Sequence, residues 1–280
     1  MKHLVTTKTP LRIGLFGGGT DLPEISDKIG GAVLNFTIAQ FVYVTVKQHS
    51  GLFHEKYRLQ YSSTERVDSL ELIENDIIRE TLKYFDIRQP LIINTLSDMP
   101  ASSGLGGSSS FTVGLVNALN RLFDLKVSKT SLAETAFTIE RSIKGSTVGR
   151  QDAYAAAFGG FNLLEFGSKN SITPVTEIAS LYALLPNLKL FWTGTQRSAS
   201  KLLSYQILES NDKLPIYGKL KQLATSAYEE FSNSEPISLE RFAKLLGFNR
   251  DLKYQLSPSI SDGNTALIES EIIKHGAIST

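Results

Sequence analysis

"MPASSGLGGSSSFTVGLVNALNRLF", residues Met99 to Phe123, decides how the rest of the chain is read. Ala101 to Ser110 is almost entirely glycine and serine, and it runs without a break into an apolar helix with Leu115, Leu119 and Leu122 on one stripe. Gly104, Gly106 and Gly107 let the backbone turn and approach a ligand with no Cβ in the way. The helix behind them offers unpaired N–H groups and the positive end of its dipole. Such a stretch suits an anion, phosphate first of all. It is not the lysine-bearing P-loop, because G-x-x-x-x-G-K-[ST] is absent, and Gly-x-Gly-x-x-Gly is absent too. A surface turn that happens to precede a helix is the plainer alternative.

Composition narrows the ligand. The chain has 280 residues, 41% of them hydrophobic, enough for a sizeable core in one large domain or two modest ones. Its 29 basic and 28 acidic residues nearly cancel, so no global field points to nucleic acid or to a membrane surface. Small-molecule partners are expected, and a local basic pocket for a phosphorylated substrate is compatible with the balance. The N-terminus lacks the apolar run of a signal peptide, and nowhere do about 18 uncharged apolar residues follow one another, so a cytoplasmic location is expected. Without cysteine there is no disulfide framework, thiolate nucleophile or Cys-based zinc site. His3, His49, His54 and His275 lie far apart with no His-x-x-x-His pair, so no preformed transition-metal site is expected.

Around the opening stretch, β-type runs are predicted at Leu11–Phe16, Ala32–Gln48, Lys56–Tyr61 and Pro90–Leu96, with Phe41–Val46 rich enough in aromatic and β-branched residues to be buried on both faces or to lie between sheet and helices. One helix is predicted over Leu70–Phe85, and another over Leu132–Lys144 with Ser131 and Glu134 as a capping box and Gly145 as its stop. Strands return at Gly160–Phe166 and Leu188–Trp192, followed by helices around Ser198–Glu209, Leu214–Phe231, Ser238–Leu246 and Thr265–His275. The order suggests an α+β protein with a strand-rich first half and a helix-rich second half, divided between Pro174 and Leu188. Ala277 to Thr280 reads as the start of another strand, so a C-terminus that is incomplete is expected.

Pro100 to Ser110 resembles the Pro-x-x-x-Gly-Leu-Gly-Ser-Ser nucleotide loop of the GHMP kinases. Three further segments agree. Thr9 to Asp21, TPLRIGLFGGGTD, is similar to the N-terminal substrate motif in the Gly-Gly-Gly-Thr-Asp form of the heptose-phosphate and fucose kinase branch. Gly149 to Tyr154, GRQDAY, leading into Phe158 to Asn162, and Thr193 to Ser200, TGTQRSAS, resemble the same branch. Two departures stand out: Gly107 replaces the first Ser of the family's Ser-Ser pair, and the family's C-terminal glycine-rich motif would be expected just beyond Thr280.

What this resemblance implies is a two-domain GHMP kinase-like fold, with an N-terminal nucleotide and substrate domain (1–180) of the ribosomal protein S5 domain 2-like type and a C-terminal domain (181–280). It implies MgATP-dependent phosphorylation of the anomeric hydroxyl of D-glycero-D-manno-heptose 7-phosphate, toward nucleotide-activated heptose for surface polysaccharide. The loop Ser103, Gly104, Leu105, Gly106, Gly107, Ser108 and Ser109 would hold ATP phosphates, and Ser108 with Glu140 would hold Mg2+, a hard cation that suits a hydroxyl and a carboxylate. Asp152 would orient or deprotonate the acceptor hydroxyl, and Arg12 would neutralise Asp152 or phosphoryl oxygens. Asp152 as a helix N-cap is the plainer reading. Gly18, Gly19, Thr20, Asp21 and Gln151 would meet the sugar, and Arg150, Arg197 and Lys144 its phosphate. Phe191 and Trp192 read as core rather than a sugar-stacking platform. L-fucose kinase is the neighbouring reading, and a non-catalytic sugar and nucleotide sensor the reading from another class.

Overall fold

A computed structural model describes residues 3–177, 179–191, 210–233, 235–256 and 263–279. The class is α+β. The chain forms two compact units, one from Met1–Arg12 and Thr37–Gly159, the other from Ile13–Phe36 and Gly160–Thr280. They do not follow a single linear cut near residue 180, because strands β1 (Leu4–Phe16) and β2 (Gly31–Gln48) each run from one unit into the other.

In the first unit the sheet runs β4 (Thr64–Val67), β3 (Tyr57–Gln60), β5 (Leu91–Ser97), β2, and β1 also pairs with β2. β2 is antiparallel to β5 from Val42 opposite Ser97 to Gln48 opposite Leu91, whereas β3 lies parallel to β5. Along β2, Val42, Val44 and Val46 are buried and Phe41, Tyr43 and Thr45 half-buried, so this strand has one core face rather than two buried ones. Lys8 covers the other face, its ammonium 3.8 Å from the centre of the Phe41 ring.

Helices α3 (Gly107–Phe123), α4 (Lys129–Lys144) and α5 (Gln151–Phe158) pack on one another through Val113, Val116, Ala136, Phe137, Ile139 and Ala153, and α2 (Asp76–Tyr84) packs against α3 and α4. Thr7 Oγ1 donates to the Gly114 carbonyl at 2.9 Å, which ties α3 to β1 at mid-helix and fixes where its N-terminus lies. The single helix expected over Leu70–Phe85 is instead a 3-10 turn, Leu70–Leu72, followed by α2. The break has a cause: the Glu65 carboxylate accepts from the N–H groups of Glu74 and Asn75 at 2.7 and 3.1 Å, and Asn75 Oδ1 then caps Ile78 N at 3.0 Å. α4 likewise starts one turn earlier than expected, because Ser128 caps it by accepting from Ser131 N at 3.1 Å. Glu134 serves elsewhere, accepting from Tyr154 Oη at 2.5 Å. Gly145 ends α4 as expected, at φ 66°.

In the second unit the first part of β2 pairs antiparallel with β6 (Phe161–Phe166), and β6 with β7 (Ser171–Pro174). Its helices are α1 (Pro23–Ile29), α6 (Ala179–Leu184), α7 (Ser210–Ser232), α8 (Leu239–Leu256) and α9 (Gly263–Lys274). α7 packs against α1, β6 and α8. Edge-to-face rings join these layers: Phe161 to Phe231 at 5.0 Å, Phe231 to Phe242 at 5.9 Å and Phe242 to Phe16 at 6.1 Å. Residues 188–191 form no strand and Phe191 is exposed, so it is not core. Residues 277–279 form none either. Trp192 and the helix expected over Ser198–Glu209 lie outside the described residues. No described helix is long and apolar enough to cross a membrane.

Candidate active site

The Gly/Ser stretch becomes a loop that ends in the first turn of α3. Gly106 takes the N-cap position at φ 76°, in the left-handed region, and no side chain caps this end. The ordinary solution to a helix start, a Ser or Asp side chain on the N–H groups, is therefore not used here. A Cβ at Gly104 or Gly107 would meet no described atom within 4 Å, so the loop has a side left open by the described residues. A Cβ at Gly106 would sit 3.3 Å from Arg12 Cγ and 3.5 Å from Asp152 Oδ2, so the loop's other side is closed by the two residues expected to be catalytic. Leu105 is buried and anchors the turn.

Arg12 and Asp152 meet directly. Arg12 Nε donates to Asp152 Oδ1 and Nη2 to Oδ2, both at 2.8 Å, in the bidentate fork that guanidinium and carboxylate favour. Its third nitrogen, Nη1, donates to the Gly104 carbonyl at 2.7 Å, and the Arg12 backbone N–H to the Leu105 carbonyl at 3.1 Å. Arg12 therefore holds the loop and the carboxylate in one frame. Asp152 lies in the first turn of α5, where negative charge is favoured, but Arg150 is the N-cap residue, so Asp152 is not the cap. Arg12 takes two of the roughly four lone-pair positions of this carboxylate, which leaves acceptor capacity for a substrate hydroxyl.

The serines of α3 are all engaged. Ser108 and Ser109 donate to Oε1 and Oε2 of Glu140, each at 2.5 Å, and Ser110 Oγ donates to the Pro10 carbonyl at 2.8 Å. Glu140 is only 2% exposed. Lys144, one turn on along α4, donates to Ser108 Oγ at 2.7 Å and to Glu140 Oε1 at 3.2 Å. A buried carboxylate and two hydroxyls form a hard, oxygen-only ligand set that fits a small divalent cation sharing phosphate oxygens, which the nearby backbone N–H groups suit. Lys144 thus lies at the start of α3, not with Arg150 as the resemblance implies. Its i, i+4 spacing from Glu140 was the available signal. Arg150 lies in the helical layer, its guanidinium 4.9 Å from the Phe137 ring centre and its Nε 3.9 Å from Glu134. Gln151 opens α5 and is half-buried.

The Gly-Gly-Gly-Thr-Asp turn belongs to the second unit. Gly17 stands at φ 79°, and a Cβ there would fall 2.0 Å from the Ala32 carbonyl oxygen and 2.8 Å from Ala224 Cβ, so no larger residue fits. Thr20 is fully buried: its Oγ1 lies 2.7 Å from the Gly17 carbonyl and 2.9 Å from that of Ala32, and accepts from Ala32 N at 3.0 Å. It ties the turn to β2. Asp21, also buried, accepts from Gly19 N at 2.9 Å. Behind the turn, Lys253 donates to the Gly18 carbonyl and Lys221 to that of Ile29 at 2.8 Å. Tyr217, one turn before Lys221, is wholly buried and its hydroxyl has no hydrogen-bond partner among the described residues. Burial first, and the Asp21 charge second, push its pKa up to about 12. No sequence spacing announces these contacts, because Lys221 and Lys253 lie far along the chain from the turn. Arg197, with the rest of Thr193–Ser200, lies outside the described residues.

Left-handed glycines, an uncapped helix start and an Arg–Asp pair on its closed side give this loop the chemistry expected of an anion site beside a carboxylate. Residues 71–160 match the family described as GHMP kinases N terminal domain. Together with the full-length relative below, this match means that the chain belongs to the GHMP kinase family and is an ATP-dependent phosphotransferase with an alcohol group as acceptor. It is 32% identical, over 98% of its own length and 84% of the relative's, to the D-glycero-alpha-D-manno-heptose 7-phosphate kinase of Campylobacter jejuni. Two solved structures share the fold. One is a D-glycero-D-manno-heptose 1-phosphate kinase from Bacteroides thetaiotaomicron (TM-score 0.72, 24% identity, covering 99% of this chain and 84% of the other). The other is the mevalonate kinase of Methanococcus jannaschii (TM-score 0.68, 18% identity, 99% and 86%).

Proposed function

We propose that the chain is a sugar kinase that transfers the γ-phosphoryl group of MgATP to the anomeric hydroxyl of D-glycero-D-manno-heptose 7-phosphate. The observation that carries the reading is the bidentate Arg12–Asp152 pair against the loop at the start of α3. The acceptor oxygen bonds to the γ-phosphorus as the bond to ADP breaks, and its proton is taken up by Asp152 or by solvent. Asp152 accepts the hydroxyl's hydrogen bond on the lone pairs that Arg12 leaves free, and so aims the attacking oxygen. Arg12 keeps that carboxylate from repelling the phosphoryl charge. The N–H groups from Gly104 to Ser109 bind the ATP phosphates. Ser108 and Glu140 hold Mg2+, which when bound neutralises charge on the phosphates.

For the sugar phosphate we assign Gly18, Gly19, Asp21, Arg150, Gln151 and Arg197, with Thr20 holding the turn in shape. The product is the 1,7-bisphosphate, which suits nucleotide-heptose and surface-polysaccharide synthesis in the cytoplasm. Phosphorus NMR tests the reading: MgATP with heptose 7-phosphate should give ADP and a new sugar-1-phosphate resonance. The 1-phosphate and L-fucose, offered in parallel, should turn over far more slowly; the reverse ranking would reassign the acceptor. Binding of ATP and sugar with no transfer would favour the sensor instead. Asp152→Asn should lower turnover by about 10²–10⁴-fold with ATP affinity nearly unchanged, and unaltered turnover would remove Asp152 from the mechanism.

A further inference from the structure

The phosphate loop, residues 99–110, contains no lysine or arginine. Arg12, which lies against it, directs all three side-chain nitrogens to Asp152 and to the Gly104 carbonyl. Among the described residues, Lys144 is the cation that reaches the first turn of α3, and it does so by donating to the two oxygens on which the metal assignment rests, Ser108 Oγ at 2.7 Å and Glu140 Oε1 at 3.2 Å. Glu140 is 2% exposed and Lys144 38% exposed, so a buried carboxylate is compensated by an ammonium at the edge of solvent.

An ammonium and a divalent ion cannot both rest on these oxygens: they would lie within a few ångströms of each other with like charge, in a place where burial weakens screening. One must give way. Lys144 can, because its long stem starts at the last residue of α4 and its side chain already reaches solvent.

We propose that Lys144 is an internal competitor of the divalent cation at Ser108 and Glu140, a positioning residue whose charge makes the metal bind weakly by itself and well only with the nucleotide. The inference rests on the assignment of Mg2+ to these two residues. Negative phosphates next to the loop would attract the metal and offer the displaced ammonium another partner, so entry of metal is coupled to entry of nucleotide. Without Lys144, the Glu140 carboxylate would be open to metal at all times.

The test is Mn2+ binding to the full chain, followed by the loss of the free-ion electron paramagnetic resonance signal, with and without ADP. Lys144→Met should bind Mn2+ about fivefold more tightly than the parent without ADP, the size expected for a partly exposed charge pair, and the gain should shrink when ADP is present. Lys144→Arg keeps the charge and should behave as the parent. Unchanged or weaker Mn2+ binding by Lys144→Met, or tighter binding by Lys144→Arg, overturns the competition. Glu140→Gln separates this failure from failure of the metal assignment: it should lose Mn2+ binding, and if it binds as the parent does, the assignment falls and the competition with it.

Discussion

The turn at Gly17–Asp21 and the loop at Ser103–Gly107 each carry three glycines in five residues, for opposite reasons. At Gly17 the space a side chain would fill holds protein, the Ala32 carbonyl and Ala224. At Gly104 and Gly107 that space holds no atom of the described residues within 4 Å. The first turn is glycine-rich so that strand, turn and helix α7 can close on one another; the second leaves its backbone uncovered, so that a ligand can. A glycine cluster thus reports close approach, and only the surroundings say whether the approaching group is the protein's own.

The contrast breaks most visibly at Gly17. Gly17→Ala puts a methyl group on a backbone oxygen at a positive φ, so it should cost at least about 3 kcal/mol, seen as a large fall in the urea midpoint or as insoluble protein. A variant that is as stable as the parent would mean that β2 can move away from the turn. Gly104→Ala should do the reverse. Its left-handed φ costs about 1–2 kcal/mol of stability. Its methyl lies on the open side, and ATP affinity should fall about tenfold, 1.4 kcal/mol, in a calorimetric titration. An ATP affinity equal to the parent's would place the phosphates elsewhere.

Much of this was legible where local signals decide. The strands β1, β2, β5 and β6 and the helices α3 and α4 follow from alternation, apolar stripes and the Gly145 stop. Asp152, Arg12, Ser108 and Glu140 were singled out by resemblance alone, and the structure joins them in two pairs that no spacing in the sequence displays. The misses come from long-range partners. A carboxylate from β4, Glu65, cuts the predicted helix at Glu74 and Asn75, and Tyr154 takes Glu134 away from the cap it was expected to form. The parallel pairing of β3 with β5 and the interleaved units leave no periodic trace, because each depends on residues distant in the chain.

Tyr217 sharpens the picture of the protein-filled turn. Its hydroxyl is buried with no partner among the described residues, so Tyr217→Phe should be neutral or up to about 1 kcal/mol more stable at pH 7 by urea denaturation. The pH dependence has a definite sign. The folded tyrosine ionises at about 12 and the unfolded one near its ordinary 10.0, so the unfolded state releases its proton first and stability falls between those values. Tyr61, also raised to about 12, contributes the same fall in both proteins. The Phe variant should therefore lose less stability than the parent over that range. Destabilisation at pH 7 would show that the hydroxyl holds Asp21 in place.

The smallest expected effect tests the open loop most directly. Gly107 is the first residue of α3, at the position where the resemblance to the family's nucleotide loop would put a serine. A Cβ there meets nothing within 4 Å, and Ser is the better helix former, so Gly107→Ser should change stability by no more than about 0.5 kcal/mol. Its consequence for ATP depends on which atoms bind phosphate. If the N–H groups do, as the uncapped end of α3 implies, the added hydroxyl is a spectator and kcat/KM for ATP should stay within about threefold of the parent. A gain of tenfold or more would mean that a hydroxyl at this position belongs to the cradle, and that the backbone alone leaves the phosphates incompletely held.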